Sequence, residues 1–310
     1  MIIPKRLSEQ DKVAIIAPSN LVPENFRQHY LDAMKFLKDI ELIPIFEPAE
    51  IFEKDAKFRD KQSRVQNLAK RFTELFTNPE IKAVFFALGG EGAKDIPPLL
   101  DYDKIKSNKK IIMGFSDHTY ILGAVTGKTG LVSFYGSDMV FGYGKNINDG
   151  VKEDFKKKLM SNEVTSESFT NEEIVNPGKA RGILLGGNML RVKELLLNLG
   201  IKIDRGTILF IESLSEDENE ILDFFGWLGE FDTNKKIKGL VIGHLNKIDE
   251  TNNTKEFILK IKQLKLFKRI PIIKFSKVGH CKDFRILPIG IRVIFDTSKL
   301  KITFEGQYLE

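Results

Sequence analysis

The first half of the chain repeats one unit: a short apolar run, a turn of small residues, then a stretch with apolar residues at helical spacing. Val13 to Ala17 runs into Pro18-Ser19-Asn20, and from Glu24 to Ile40 the residues Phe26, Tyr30, Met34 and Leu37 share a helical face. Leu42 to Phe46 reads as a strand and Lys61 to Phe76 as an amphipathic helix; Ala83 to Leu88 is a strand running into Gly89, Gly90 and Gly92. Lys110 to Gly114 then leads into Phe115-Ser116-Asp117 and a helical run from His118 to Val125. Strands of βα units are covered on both faces, so they read as continuous apolar runs, and their recurrence predicts an α/β fold with a mostly parallel sheet. Ligands of such sheets bind beyond the carboxyl ends of the strands, where Ser19, Gly90 and Ser116 all fall.

At 310 residues the chain exceeds the size at which a single core stops growing, which predicts two domains. The polar, acidic stretch ending in Pro177-Gly178 reads as their linker, giving a domain over 1–161, a linker over 162–180 and a second domain over 181–310. The second half reads as a strand at Gly182 to Leu185, then Gly186-Gly187-Asn188 and a helical run to Leu199. Strands at Thr207 to Ile211, Leu240 to Gly243 and Pro271 to Phe275 alternate with helices at Glu218 to Gly229 and near Lys255 to Leu264. Ile291 to Phe295 and Leu300 to Phe304 flank Asp296-Thr297-Ser298-Lys299 as a closing hairpin.

Composition narrows the partners. Apolar residues at 42% and charged residues at 29% are those of a soluble globular protein. The net charge of +5, from 48 Lys and Arg against 43 Asp and Glu, is spread without a basic stripe, which argues against nucleic acid. The Val13 to Ala17 run is too short for a signal-peptide core or a membrane span, so no membrane partner is expected. A lone cysteine, Cys281, allows no intrachain disulfide and no Cys-based zinc site, which fits a cytoplasmic protein, and no cofactor is expected.

Ser116 lies between a strand and a helix, with Gly114 two residues earlier. A sharp turn there lifts a hydroxyl off the sheet beside the N–H of Asp117 at a helix N-terminus, as in a nucleophile elbow; a serine helix cap satisfies the same pattern. Gly89-Gly90-Glu91-Gly92 follows another strand, where its amides could cradle an anion or simply make a turn, and no Lys-Ser/Thr follows to make a phosphate loop. Of the four histidines, at 29, 118, 244 and 280, His118 is too close along a helix to serve Ser116, and His244 and His280 end strands. Glu212 closes the apolar run Leu209-Phe210-Ile211, a place where a carboxylate is unexpected unless solvated or used to orient an imidazole.

In order and spacing, several segments resemble the LD-carboxypeptidase family of muramoyl-tetrapeptide carboxypeptidases and microcin C self-immunity proteins. They are Ile16-Ala17-Pro18-Ser19, Gly89-Gly90, Leu100-Asp101-Tyr102-Asp103, Gly114-Phe115-Ser116-Asp117, Phe134-Tyr135-Gly136, Gly186-Gly187-Asn188, Leu209-Phe210-Ile211-Glu212, Gly279-His280 and Leu287-Pro288-Ile289-Gly290. The resemblance implies a flavodoxin-like or amidotransferase-like N-terminal domain and a smaller β-rich C-terminal domain. It also implies a metal-independent Ser-His-Glu triad in the interdomain cleft, with Ser116 as nucleophile, His280 as base and Glu212 as its orienting acid. Gly90 and Asp117 match the oxyanion donors, while Ser19, Gly89, Glu91 and Asn188 are expected to contact a small peptide-like substrate in a homodimeric enzyme. Leu88 and Glu91 depart from an Arg and an aromatic that many murein-acting members carry, and the only tryptophan, Trp227, is not near Gly187-Asn188. The implied substrate is a murein tetrapeptide or an aminoacyl-nucleotide amide; a binding protein without turnover on the same fold is the remaining alternative.

Overall fold

The apolar runs of the first half become parallel strands of one sheet. In a computed structural model, which describes residues 1–56, 60–198, 206–232, 235–251 and 254–310, they are β1 (Lys12–Ile16), β2 (Ile43–Ile45), β3 (Ile81–Phe86), β4 (Ile111–Gly114) and β5 (Ser133–Tyr135). The order is β5-β4-β3-β1-β2, all parallel, with Leu287–Ile289 from far along the chain at the β5 edge. Helices α1 (Arg27–Asp39), α2 (Pro48–Ile51), α3 (Lys61–Thr77), α4 (Tyr102–Ser107), α5 (Thr119–Thr129) and α6 (Asp149–Leu159) accompany them. Asp60 starts α3 with a capping box shared with Ser63, satisfying amides that a helix start leaves orphaned. Almost all of α5 is buried, and it stops where Gly130 turns left-handed at φ 76. Stacked and edge-on contacts among Phe36, Tyr143 and Phe155 fill the core between α1, α6 and a π-helical turn at Met139–Lys145.

The described chain divides into two units. One is Met1–Glu163 with Lys282–Pro288 and Gln307–Glu310; the other is Val164–Cys281 with Ile289–Gly306. The second contains β6 (Ser166–Ser168), β7 (Ile174–Asn176), β8 (Lys179–Asn188), α7 (Met189–Asn198), β9 (Thr207–Ser213), α8 (Glu218–Phe231), β10 (Ile237–Leu245), α9 (Asn246–Glu250), α10 (Thr254–Ile261) and β11 (Ile272–Lys274). The chain then supplies Leu287–Ile289 (β12) to the first sheet and closes with the expected hairpin, β13 (Arg292–Asp296) and β14 (Lys301–Phe304). Among the described residues this sheet has eight strands in the order β6-β14-β13-β8-β9-β10-β11-β7. Its centre, β8 to β11, is parallel and its flanks antiparallel. Its core includes Leu209, Ile211, Ile221, Phe225, Leu240 and Ile272.

The two-sheet α/β reading holds, with the N-terminal sheet mostly parallel. The linker does not: residues 162–180 hold β6, β7 and the start of β8. Such short edge strands bury only one residue each in their middle, so they carry no apolar run for the sequence to show. Nor is the second domain continuous to residue 310, because Lys282–Pro288 and Gln307–Glu310 belong with the first unit. Leu199, the expected end of the α7 run, lies outside the described residues.

Candidate functional site

At the end of β4 the chain turns sharply. Ser116 has φ 55, a left-handed conformation that costs a side-chain-bearing residue roughly 1–2 kcal/mol. Strain of this kind persists where surroundings over-determine it. Here the Ser116 N–H donates to the Tyr135 hydroxyl at 2.9 Å, and the Ser116 carbonyl accepts from the Thr119 hydroxyl at 2.6 Å. A side chain at 114 would meet the Phe86 ring at 2.4 Å and His118 Nδ1 at 2.9 Å, so only glycine lets the turn close. The result is that Ser116 is the one partly exposed residue between Ile111 and Leu122. A Ser116–His118 turn of 3₁₀ helix then feeds α5, and no side-chain capping bond is made from Phe115 at its start.

His118 does not serve Ser116. It is fully buried: Phe115 N–H donates to its Nδ1 at 3.3 Å, which leaves Nε2 to carry the proton and donate to the Leu88 carbonyl at 3.1 Å. Burial pushes its pKa down to about 4, so the ring is neutral and acts as a fixed strut.

The glycine turn lies beside the elbow. A Cβ built on Gly89 would sit 3.7 Å from Ser116 Oγ. Gly89 N–H is taken by Asp138 Oδ2 at 3.2 Å, and Gly90 follows at φ 123 with Asn20 packed against it. Glu91 is exposed, its N–H donating to Asn20 Oδ1 at 3.3 Å, while the Leu88 side chain is buried. The Asp117 carboxylate accepts from the Ser19 hydroxyl at 2.7 Å and the Ala93 N–H at 2.9 Å, tying the ends of β1 and β3 to that of β4. Ser19, expected to contact substrate, is instead fully buried with its hydroxyl committed to that carboxylate. Two further parts were not anticipated. Arg64, from α3, donates to the carbonyls of Ala17 and Ser19 and holds the end of β1. Asp138 caps the π-helical turn through Phe141 N–H at 2.7 Å; an Asp just ahead of the apolar Met139-Val140 is the helix-start signal that could have marked it.

In the second unit Glu212, Asn188 and His280 come together. Asn188 and Glu212 are partners in the β8–β9 register, and both are buried. The Asn188 amide donates to Glu212 Oε1 at 3.1 Å, and His280 Nδ1 lies 2.5 Å from Glu212 Oε2. Asn188, expected to touch substrate, therefore holds the carboxylate that holds the histidine. A carboxylate at Nδ1 fixes the tautomer with its proton there and leaves Nε2 as an acceptor. Gly279, at φ 109, has Glu212 where its Cβ would be, 2.8 Å from Oε2, which is why glycine precedes the histidine. His244 belongs to a different cluster, its Nδ1 3.2 Å from Asp249, which also binds Lys274 at 2.7 Å. Burial lowers the pKa of both His244 and Lys274.

Family models for the N-terminal and C-terminal domains of LD-carboxypeptidases match residues 13–136 and 181–295, so between them they span both sites. The chain belongs to the LD-carboxypeptidase family. It is 28% identical over 309 residues to a probable murein peptide carboxypeptidase of Bacillus subtilis, covering 98% of this chain and 94% of that protein. It is 26% identical over 278 residues to the microcin C7 self-immunity protein MccF of Escherichia coli, covering 80% and 81%. A solved structure of MccF in complex with aspartyl sulfamoyl adenosine superposes with a TM-score of 0.83 at 22% identity over 100% of both chains, a match of fold. Membership supports a peptidase-type hydrolase. Among the described residues no helix is long and apolar enough to cross a membrane.

Proposed function

We propose that this protein is a serine carboxypeptidase or amidase that hydrolyses an amide bond of a small peptide-like substrate through an acyl-enzyme on Ser116. The observation that carries the reading is the left-handed Ser116 at φ 55, a partly exposed hydroxyl at a strand-to-helix turn. In the proposed reaction Ser116 Oγ attacks the carbonyl carbon while its proton passes to His280 Nε2. Glu212 holds Nδ1–H and stabilises the imidazolium. The tetrahedral oxyanion is met by the N–H groups of Gly90 and Asp117. Its collapse breaks the C–N bond, the amine leaves with the proton from Nε2, and water activated by the same nitrogen releases the acid. Gly89 and Glu91 line the approach to this point in the proposed reading.

Ser116→Ala, with folding retained, is expected to abolish hydrolysis; turnover at the wild-type rate in that variant would falsify the assignment. The physiological amide is proposed to be a murein tetrapeptide, as the name of the B. subtilis relative suggests. A second reading, an aminoacyl-nucleotide amide, is favoured by the likeness to the ligand-bound MccF structure. Wild type and Ser116→Ala assayed side by side on a murein tetrapeptide and on aspartyl sulfamoyl adenosine separate the two, and binding of either without product would point to a non-catalytic role. The reading places the enzyme in the cytoplasm as a homodimer, which light scattering of the purified protein checks.

A further inference from the structure

The segment after β4's neighbour, from Tyr135 to Asp138, holds two amides that flank the proposed oxyanion hole. Tyr135, fully buried at the end of β5, accepts the Ser116 N–H through its hydroxyl oxygen at 2.9 Å. Three residues on, buried Asp138 accepts the Gly89 N–H through Oδ2 at 3.2 Å, while its Oδ1 is engaged by Phe141 N–H. His118 takes the Leu88 carbonyl from the other side, so the Leu88–Gly89 peptide plane is held at both its oxygen and its hydrogen. The backbone continues this lock: Gly136 N–H donates to the Gly114 carbonyl at 3.1 Å and Val140 N–H to the Ala87 carbonyl at 3.1 Å. Each bond ties residues 136–140 to a residue just upstream of one of the two turns.

Peptide groups are planar, and only one φ and one ψ separate each from the next. Fixing the plane that ends in the Ser116 N–H, with Ser116 itself at φ 55, therefore constrains where the Asp117 N–H points. Fixing the plane that ends in the Gly89 N–H does the same for the Gly90 N–H. We propose that Tyr135 and Asp138 are positioning residues for the oxyanion hole, claiming one amide at each strand end so that the following amide is aimed at the developing oxyanion. This rests on the acyl-transfer reading above. Neither side chain needs to touch substrate; each acts through a main-chain group that does.

The test compares Tyr135→Phe and Asp138→Asn with wild type on whichever of the murein tetrapeptide and aspartyl sulfamoyl adenosine is hydrolysed, together with the rate of Ser116 labelling by a fluorophosphonate and the melting temperature. Phenylalanine keeps the ring and removes the hydroxyl that accepts the Ser116 N–H. Asparagine keeps the size of Asp138, but if its oxygen serves Phe141 N–H its NH2 group faces Gly89 N–H, donor against donor. In each variant kcat is expected to fall about 10- to 100-fold, the cost of a small misalignment at a reacting centre, with KM within a few-fold of wild type. Fluorophosphonate labelling, whose product also places an oxygen in the hole, is expected to slow in parallel. A folded Tyr135→Phe or Asp138→Asn with wild-type kcat and labelling rate overturns the proposal, as does a rise in KM that accounts for the whole loss. Should one variant fail to fold, the other decides. Wild-type turnover surviving Ser116→Ala sinks the acyl-transfer reading itself, whereas unaffected positioning variants beside an inactive Ser116→Ala sink only this inference.

Discussion

In the N-terminal unit the proposed nucleophile stands on strained backbone whose own amide and carbonyl are bonded by the Tyr135 and Thr119 hydroxyls, beside strand ends whose carbonyls are held by Arg64 and His118. In the C-terminal unit Glu212 lies near the end of a regular strand, and the proposed base has its Nδ1 2.5 Å from that carboxylate, which has no exposure at all. The first arrangement spreads its precision over many hydrogen bonds from several strand ends. The second centres on a buried carboxylate and its histidine, with room made by Gly279 and a bond from Asn188 to the same carboxylate. Distributed support degrades gradually when a single member is lost, while removing one partner of a buried charged pair leaves the other uncompensated.

The largest expected effect tests the concentrated half. In Glu212→Gln the new amide can accept His280 Nδ1–H only if its NH2 group turns toward the Asn188 NH2, two donors face to face. Turned the other way, it favours the imidazole tautomer whose Nε2 already carries a proton and cannot act as a base. A fall in kcat of about 10³- to 10⁴-fold is expected, the scale of tautomer loss in triads generally. Steady-state kinetics with circular dichroism to confirm folding checks this. A loss of less than tenfold would erase the contrast between the halves.

The next effect belongs to the distributed half and is read in stability. His118 is neutral in the fold, with its pKa pushed down to about 4 from an ordinary 6.5 by burial. Between those values the unfolded chain binds the proton that the folded one refuses, so stability is complete above about pH 6.5 and is lost as pH falls toward 4. The loss is on the order of 3 kcal/mol. His118→Asn, whose side chain can still bond but does not titrate in this range, is expected to flatten that part of the stability profile. Thermal melts from pH 7 to pH 4.5 measure it; parallel profiles for the two proteins would remove His118 as the titrating strut.

How much of this was legible in the sequence follows from the same contrast. Strands β1, β3, β4, β9 and β10 declared themselves because their buried stretches read as near-continuous apolar runs, and Ser116, Glu212 and His280 drew notice as polar residues at or beyond the ends of such runs. Elements whose identity depends on distant partners did not show. β12 joins the first sheet although it lies beyond the whole second sheet's parallel centre in sequence, and β6 and β7 pair at sheet edges with only their middle residues buried. The π-helical turn at Met139–Lys145 and α6 also went unread, as did the roles of Arg64, Asp138 and the Tyr135 hydroxyl. Tyr135 stood inside a family motif, but nothing local ties a tyrosine to an amide 19 positions earlier. Ser19 and Asn188, expected to contact substrate, are instead buried with their side chains bonded to the Asp117 and Glu212 carboxylates, and residue type alone does not show burial.

The smallest expected effect isolates backbone strain from chemistry. Ser116→Ala and Ser116→Gly both remove the hydroxyl, so both are expected to be inactive, and their difference lies in the main chain alone. Alanine keeps the penalty of a Cβ at φ 55, whereas glycine adopts that conformation without it but brings a more disordered unfolded state. The first term is the larger in the left-handed region, so Ser116→Gly is expected to be more stable than Ser116→Ala by about 1 kcal/mol. For a chain of this size that corresponds to roughly 2 °C in the melting temperature of the N-terminal unit. Equal melting temperatures would mean that the turn relaxes once the hydroxyl is gone. The hydrogen bond to the Tyr135 hydroxyl and the one from Thr119 would then be following Ser116 rather than holding it, and the elbow would owe its shape to the serine instead of to the strand ends around it.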